Sequence, residues 1–227
     1  MVESLPHEVE EFIVPGDGYM QPEDLNDSGD VDIQNHYNVS EKISLALEMA
    51  ESMAELHGFA DGVIVHDDIQ LCQWLRNDKG KLKLGDFNRA RVLNWNEEKQ
   101  EYCNYENGRG YGNWRSPEEY SGKELSMQHD VWSLGNNIYA LLTGLWVFYE
   151  NEDDEVVAGK VANGTIAFID DRYRNRTYAE SRLVEIMERC WVYDMKTRAD
   201  IFEVVNFLQK TRKEHERRIQ KTNKRSM

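Results

Sequence analysis

Two short stretches place acidic residues at the end of apolar runs. In GVIVHDDI, from Gly62, the residues His66, Asp67 and Asp68 follow Val63 to Val65; in KLKLGDFN, from Lys81, Asp86 follows Leu82 and Leu84. Desolvating adjacent charges is costly unless they are partnered or used, so both positions invite a functional reading. A His-Asp-Asp cluster could serve a metal-dependent phosphohydrolase. That chemistry needs ligands at helical spacing, whereas GVIVHDD reads as strand running into loop.

The elements around these stretches follow from periodicity and turn signals. From Ser40, the residues Ile43, Ala46, Leu47, Ala50, Met53 and Ala54 recur at helical spacing, with Asn38 or Ser40 as cap and Gly58 as stop. QLCQWL and KLKLGDF read as two strands joined by a turn at Asn77-Asp78-Lys79-Gly80, with Leu82 and Leu84 facing one way. Residues 89–115 read as an irregular charged and aromatic loop. PEEY follows, then an almost wholly apolar helix from Asp130, and helices over Tyr178 to Trp191 and Arg198 to Leu208. The expected fold is mainly α, with a small β-hairpin carrying the acidic motifs.

Composition bounds the partners. The chain has 227 residues, 40% hydrophobic and 30% charged, enough for one sizeable core. A net charge of −15 disfavours nucleic acid and anionic membrane as general partners. Charge is uneven: residues 1–40 hold ten acidic residues and no Lys or Arg, while the eighteen residues from Lys210 hold eight basic ones. We therefore divide the chain into an acidic, largely irregular segment (1–39) with EEFIV as a short strand, a folded region (40–209) and a basic tail with helical potential (210–227). Cys72, Cys103 and Cys190 lie far apart without CxxC spacing, and MVESLPHEVEE lacks the features of a secretory signal. Both point to a cytoplasmic chain, or the cytoplasmic portion of a longer one. Asn136, Asn137 and two glycines interrupt the run from Val131, which suits a core helix rather than a membrane span.

In order, VHDDIQLCQWL, LGDFNRA, WRSPEEY, HDVWSLG and CWVYDMKTR resemble the C-terminal lobe of a eukaryotic protein kinase. The family's H-R-D-L-x-x-x-N, D-F-G and A-P-E stand here as His66-Asp67-Asp68-Ile69 with Gln73, Asp86-Phe87-Asn88 and Ser116-Pro117-Glu118. WRSPEE and CW suggest the tyrosine-kinase-like branch. The resemblance implies that Asp68 orients an acceptor hydroxyl and takes its proton. It implies that Asp86, with Gln73, holds the Mg2+ that bridges ATP phosphates. His66 is implied to pack beneath the loop, Glu118 to pair with Arg198, and Asp130 to accept hydrogen bonds from the backbone around His66.

Several positions depart from the family pattern. Asp67 reverses the arginine that would dock an activation-loop phosphate, and residues 89–115 contain no Ser or Thr. Gln70 replaces the lysine of serine/threonine kinases, removing a cation near the phosphoryl group. Gln73 replaces the metal-binding asparagine, and Asn88 the glycine of D-F-G, where its tolerance of left-handed backbone would preserve the turn. Tyr111 stands where serine/threonine kinases carry a loop threonine. Before Asp68 the only lysine is Lys42, inside the first helix, and no Gly-rich strand appears. The N-lobe sheet is therefore expected to be absent, and the chain alone to bind ATP weakly. Two functions follow: ATP- and Mg2+-dependent phosphorylation of a protein substrate when an N-lobe completes the chain, or a pseudokinase-like module that binds a protein partner without catalysis.

Overall fold

Asn38 opens the first helix, α1 (Val39–His57), through a capping box. Its side chain accepts from the Ser40 and Glu41 amides at 3.0 and 3.1 Å, while Glu41 Oε2 accepts from the Asn38 amide at 2.8 Å. The apolar stripe Ile43, Ala46, Leu47, Ala50 and Met53 is wholly buried. Lys42 is buried beside it, and its ammonium donates to the Leu142 carbonyl at 2.9 Å. The computed structural model describes residues 3–4, 37–110, 112–149, 151 and 153–225. The expected EEFIV strand and Tyr111 lie outside the described residues.

The remaining helices are α2 (Pro117–Tyr120), α3 (Gln128–Thr143), α4 (Asp154–Ala162), α5 (Asp171–Asn175), α6 (Tyr178–Cys190) and α7 (Ile201–Arg225). Helix α3 is the core of the bundle, buried from His129 to Thr143. Indoles pair its two amide oxygens: Trp191 Nε1 donates to Asn136 Oδ1 at 2.8 Å, and Trp74 Nε1 to Asn137 Oδ1 at 3.1 Å. Gly135 permits α6 to approach closely, because a Cβ there would meet Trp191 Nε1 at 2.8 Å and Cys190 Cβ at 2.9 Å. Burial among these apolar side chains pushes the Cys190 thiol up to about 12. Among the described residues, no helix is long and apolar enough to cross a membrane.

Two features of the helical layer went beyond the periodicity. Helices α4 and α5 begin at Asp153 and Asp170, whose side chains accept from the Glu155 and Arg172 amides, each at 2.8 Å. Helix α7 runs past the expected stop at Leu208 to Arg225. Its apolar stripe ends there, and the rest carries charge pairs at i,i+3 and i,i+4, with Glu214 paired to both Arg217 and Arg218.

The described strands form only small antiparallel groups. Strand β1 (Glu3–Ser4) joins β3 (Trp74–Arg76), which pairs with β4 (Leu82–Leu84) in the register Trp74↔Leu84 and Arg76↔Leu82. The QLCQWL segment is strand only from Trp74, because Leu71–Gln73 closes a 3-10 turn through the Gln73 amide and the Gln70 carbonyl, 3.1 Å apart. Strand β2 (Val63–Val65) pairs with β5 (Arg91–Leu93), and β6 (Trp95–Asn96) with β7 (Glu101–Tyr102). Residues 89–115 are therefore not the wholly irregular loop expected. Arg91 and Val92 are exposed, so no apolar alternation marked β5 as a strand.

Candidate functional site

The His66-Asp67-Asp68 segment leaves β2 and is fixed from below by the first turn of α3. Asp130, fully buried, accepts from the His66 amide at 2.8 Å, the Asp67 amide at 2.9 Å and His57 Nε2 at 3.0 Å. Burial alone would push its carboxyl up, but the His57 hydrogen bond and the His66 backbone N–H hold it below its ordinary value. With its amide pinned, Asp67 adopts a left-handed backbone, φ 64°. His66 Nε2 donates to the Gly85 carbonyl at 2.8 Å, and its ring meets Phe87 edge-on at 4.9 Å. The Gly85 amide in turn donates to the Gln73 carbonyl at 2.8 Å. The two acidic motifs are thus locked to one another.

Asp68 is 7% exposed and held by three donors. Gln70 Nε2 donates to Oδ1 and Gln73 Nε2 to Oδ2, each at 3.0 Å, and Arg115 Nη2 lies 2.9 Å from Oδ1. Asp86 is different. It is exposed, sits at φ 56° and follows β4 after Gly85. The left-handed residue of this motif is therefore Asp86 rather than Asn88. Asn88 lies inside the turn closed by the Ala90 amide on the Phe87 carbonyl at 3.1 Å, so the freedom of the family's glycine is not used there. Phe87 is 47% exposed. An exposed carboxylate at Asp86 and the amide oxygen of Gln73 are hard donors of the kind Mg2+ takes.

A charged layer joins this segment to residues 107–119. Arg89 Nε donates to the Asp67 carbonyl at 3.0 Å, while its Nη2 lies 3.1 Å from Glu119 Oε1 and 3.4 Å from Asp67 Oδ2. The Asn107 amide donates to Asp67 Oδ2, and the Gly110 amide to Glu119 Oε1 at 2.7 Å. Gly110 packs on the Arg115 guanidinium so closely that a Cβ would come within 2.5 Å of Arg115 Nε. Beside Glu119 in α2, Glu118 forms a bidentate pair with Arg198 at 2.7 and 3.0 Å. Arg198 also donates to the Val192, Gln128 and Tyr193 carbonyls at 2.9, 2.7 and 3.3 Å. Burial raises the Glu118 carboxyl, but the Arg198 hydrogen bond and charge prevail and hold it below its ordinary value.

Sequence reasoning missed Arg89 and Arg115. Both stand in stretches where basic residues read as ordinary surface charge, and only the fold brings them onto Asp67, Asp68 and Glu119. Their signal was indirect: a buried acidic cluster requires cations from somewhere.

The chain matches the family model described as a protein kinase domain over residues 17–208. It is similar to the probable serine/threonine-protein kinase nek2 of Dictyostelium discoideum, 28% identical over 161 residues, covering 71% of this chain and 35% of that protein. It is 25% identical over 167 residues to serine/threonine-protein kinase 12 of Arabidopsis thaliana, covering 74% and 35%. It is also 36% identical over 109 residues to mitogen-activated protein kinase kinase kinase 3 of Mus musculus, covering 45% and 16%. The chain thus spans about a third of the length of the first two relatives.

Proposed function

The chain belongs to the protein kinase family, and from that premise we propose that the whole protein transfers a phosphoryl group from ATP to hydroxyl groups of protein substrates. The observation that supports this most is the coupling of two carboxylates in different environments, Asp68 buried among donors and Asp86 exposed, on loops joined through Gly85. A carboxylate offers roughly four lone-pair positions, and three at Asp68 are occupied. One acceptor direction remains for a substrate hydroxyl, whose proton Asp68 takes as the oxygen bonds to phosphorus and the bond to ADP breaks. Bound Mg-ATP supplies the phosphoryl group and neutralises the charge on its oxygens. Asp86 and the Gln73 amide oxygen would hold the metal. Arg115 restores beside Asp68 a positive charge that Gln70 does not carry.

The same pattern suggests how the loop is held. Where an arginine would bind a phosphate, Asp67 meets Arg89 and Asn107, so the segment is fastened by its own charges without phosphorylation. Similarity to proteins named serine/threonine kinases favours Ser and Thr acceptors. A second reading, a protein-binding module without catalysis, is favoured by the Arg115 ion pair, which leaves Asp68 little free acceptor capacity. Phosphate incorporation into a mixed protein substrate by the full-length protein with Mg-ATP separates the two. Incorporation lost on Asp86→Asn supports the kinase; a folded protein that neither binds Mg-ATP nor labels any substrate supports the module.

A further inference from the structure

Three buried side chains from three parts of the fold each turn one atom toward a common point. Asp67 follows β2, Glu119 lies in α2 and His129 in the first turn of α3, with 0%, 2% and 0% of their surfaces exposed. One oxygen of each carboxylate is accounted for by Asn107, Arg89 and the Gly110 amide. The other oxygens, Asp67 Oδ1 and Glu119 Oε2, have no hydrogen-bond partner, nor has His129 Nε2, and the buried Tyr105 hydroxyl beside Asp67 is likewise unpartnered. Nε2 stands 3.4 Å from each of these oxygens, beyond ordinary N–H···O range. The other ring nitrogen, Nδ1, is 2.8 Å from Ser116 Oγ. With Nδ1–H donated there, Nε2 presents a lone pair, as a metal-binding imidazole must.

We propose that Asp67, Glu119 and His129 form a divalent metal site suited to Zn2+. Their ligand atoms lie within 4.8 Å of one another. Bonds of about 2.1 Å to a tetrahedral zinc separate neighbouring ligands by about 3.4 Å, which is the spacing of Nε2 from both oxygens. One nitrogen and two carboxylate oxygens match zinc, whereas Mg2+ prefers an all-oxygen, water-rich shell. Three protein ligands leave a fourth position for water. Charge points the same way: among the described residues, Asp67, Asp68 and Glu119 meet two guanidiniums, Arg89 and Arg115, so with His129 neutral the cluster keeps one uncompensated negative charge. An ion here joins the segment after β2 to α2 and α3 and fixes the backbone next to Asp68. The proposal does not depend on phosphoryl transfer and is tested without it.

The full chain is stripped with a chelator and titrated with ZnCl2 by calorimetry, with metal content confirmed by mass spectrometry. One zinc per chain is expected, with a dissociation constant of about 1 μM or tighter. His129→Ala and Asp67→Asn should each weaken binding at least roughly tenfold, and His215→Ala should leave it unchanged. Should these variants misfold, Co2+ loaded into the unaltered chain gives an independent reading. The expected visible spectrum is that of a tetrahedral ion without thiolate charge-transfer bands, which excludes Cys72 and Cys103 as ligands. No stoichiometric zinc, zinc retained by folded His129→Ala, or a thiolate-bearing cobalt spectrum would each overturn the site. So would a stripped chain that refuses zinc and whose His129 is a protonated imidazolium by NMR.

Discussion

Two pairs of carboxylates divide the molecule by what their partners tie together. Glu118 and Asp130 are anchors: the first is matched by both Arg198 nitrogens, the second by two backbone amides and His57. Asp68 and Asp86 sit on the loops that follow β2 and β4, Asp68 held by three side-chain donors and Asp86 exposed. The sequence presents all four as acids beside apolar residues. What separates them is which cations and amides the fold brings within reach. The anchors tie distant elements of the fold together, whereas Asp86 is open to solvent and Asp68 lies on the loop locked to it through Gly85.

The anchors are where substitution should cost most stability. Arg198→Ala leaves Glu118 buried and uncompensated, and should lower the unfolding free energy by about 3–5 kcal/mol in denaturant titration. If the variant unfolds with the unaltered chain, the distinction between anchors and working carboxylates is broken.

Acid gives the next largest effect. Folding holds both Glu118 and Asp130 below their ordinary values of 4.5 and 3.8. A depressed carboxylate contributes stability that is fully present above its unfolded pKa and is lost as pH falls through the folded one. Thermal midpoints should therefore drop steeply as pH falls below about 4, and Glu118→Gln should flatten that acid limb. An unchanged limb would show that Glu118 protonates alike in folded and unfolded chains. The smallest effect belongs to a surface pair, Lys81 with Glu48, whose side chains are 66% and 24% exposed. Lys81→Ala should cost only ~0–1 kcal/mol in the same titration, which sharpens the contrast with Arg198.

Much of this was legible in the residues. Asn38 and Gly58 bound the first helix as their chemistry required, and the Asn136-Asn137 interruption marked a core helix whose amide oxygens accept from indoles. The pairing of Glu118 with Arg198 and the hydrogen bonds of Asp130 followed from the motif resemblance. What was hidden depends on distant neighbours. Strand β5 lacks alternation because it is exposed, and α7 extends on charge pairs rather than an apolar stripe. Asp67 read only as a reversed charge, yet it is the buried meeting point of Arg89, Asn107 and His129. Asn88 was assigned the left-handed turn because a glycine stands there in the family, while the backbone reverses two residues earlier, at Asp86.

The division of labour between Asp68 and Asp86 is tested most directly by one steady-state comparison of the full-length protein with its Asp68→Asn and Asp86→Asn variants, at varied Mg-ATP. Asp68→Asn should lower kcat by roughly 10²–10⁴-fold with little change in nucleotide affinity, because its interaction with the acceptor hydroxyl strengthens only as the phosphoryl group transfers. Asp86→Asn should weaken Mg-ATP binding as well as turnover. Full turnover in Asp68→Asn, or equal loss of nucleotide affinity in both variants, would contradict the account.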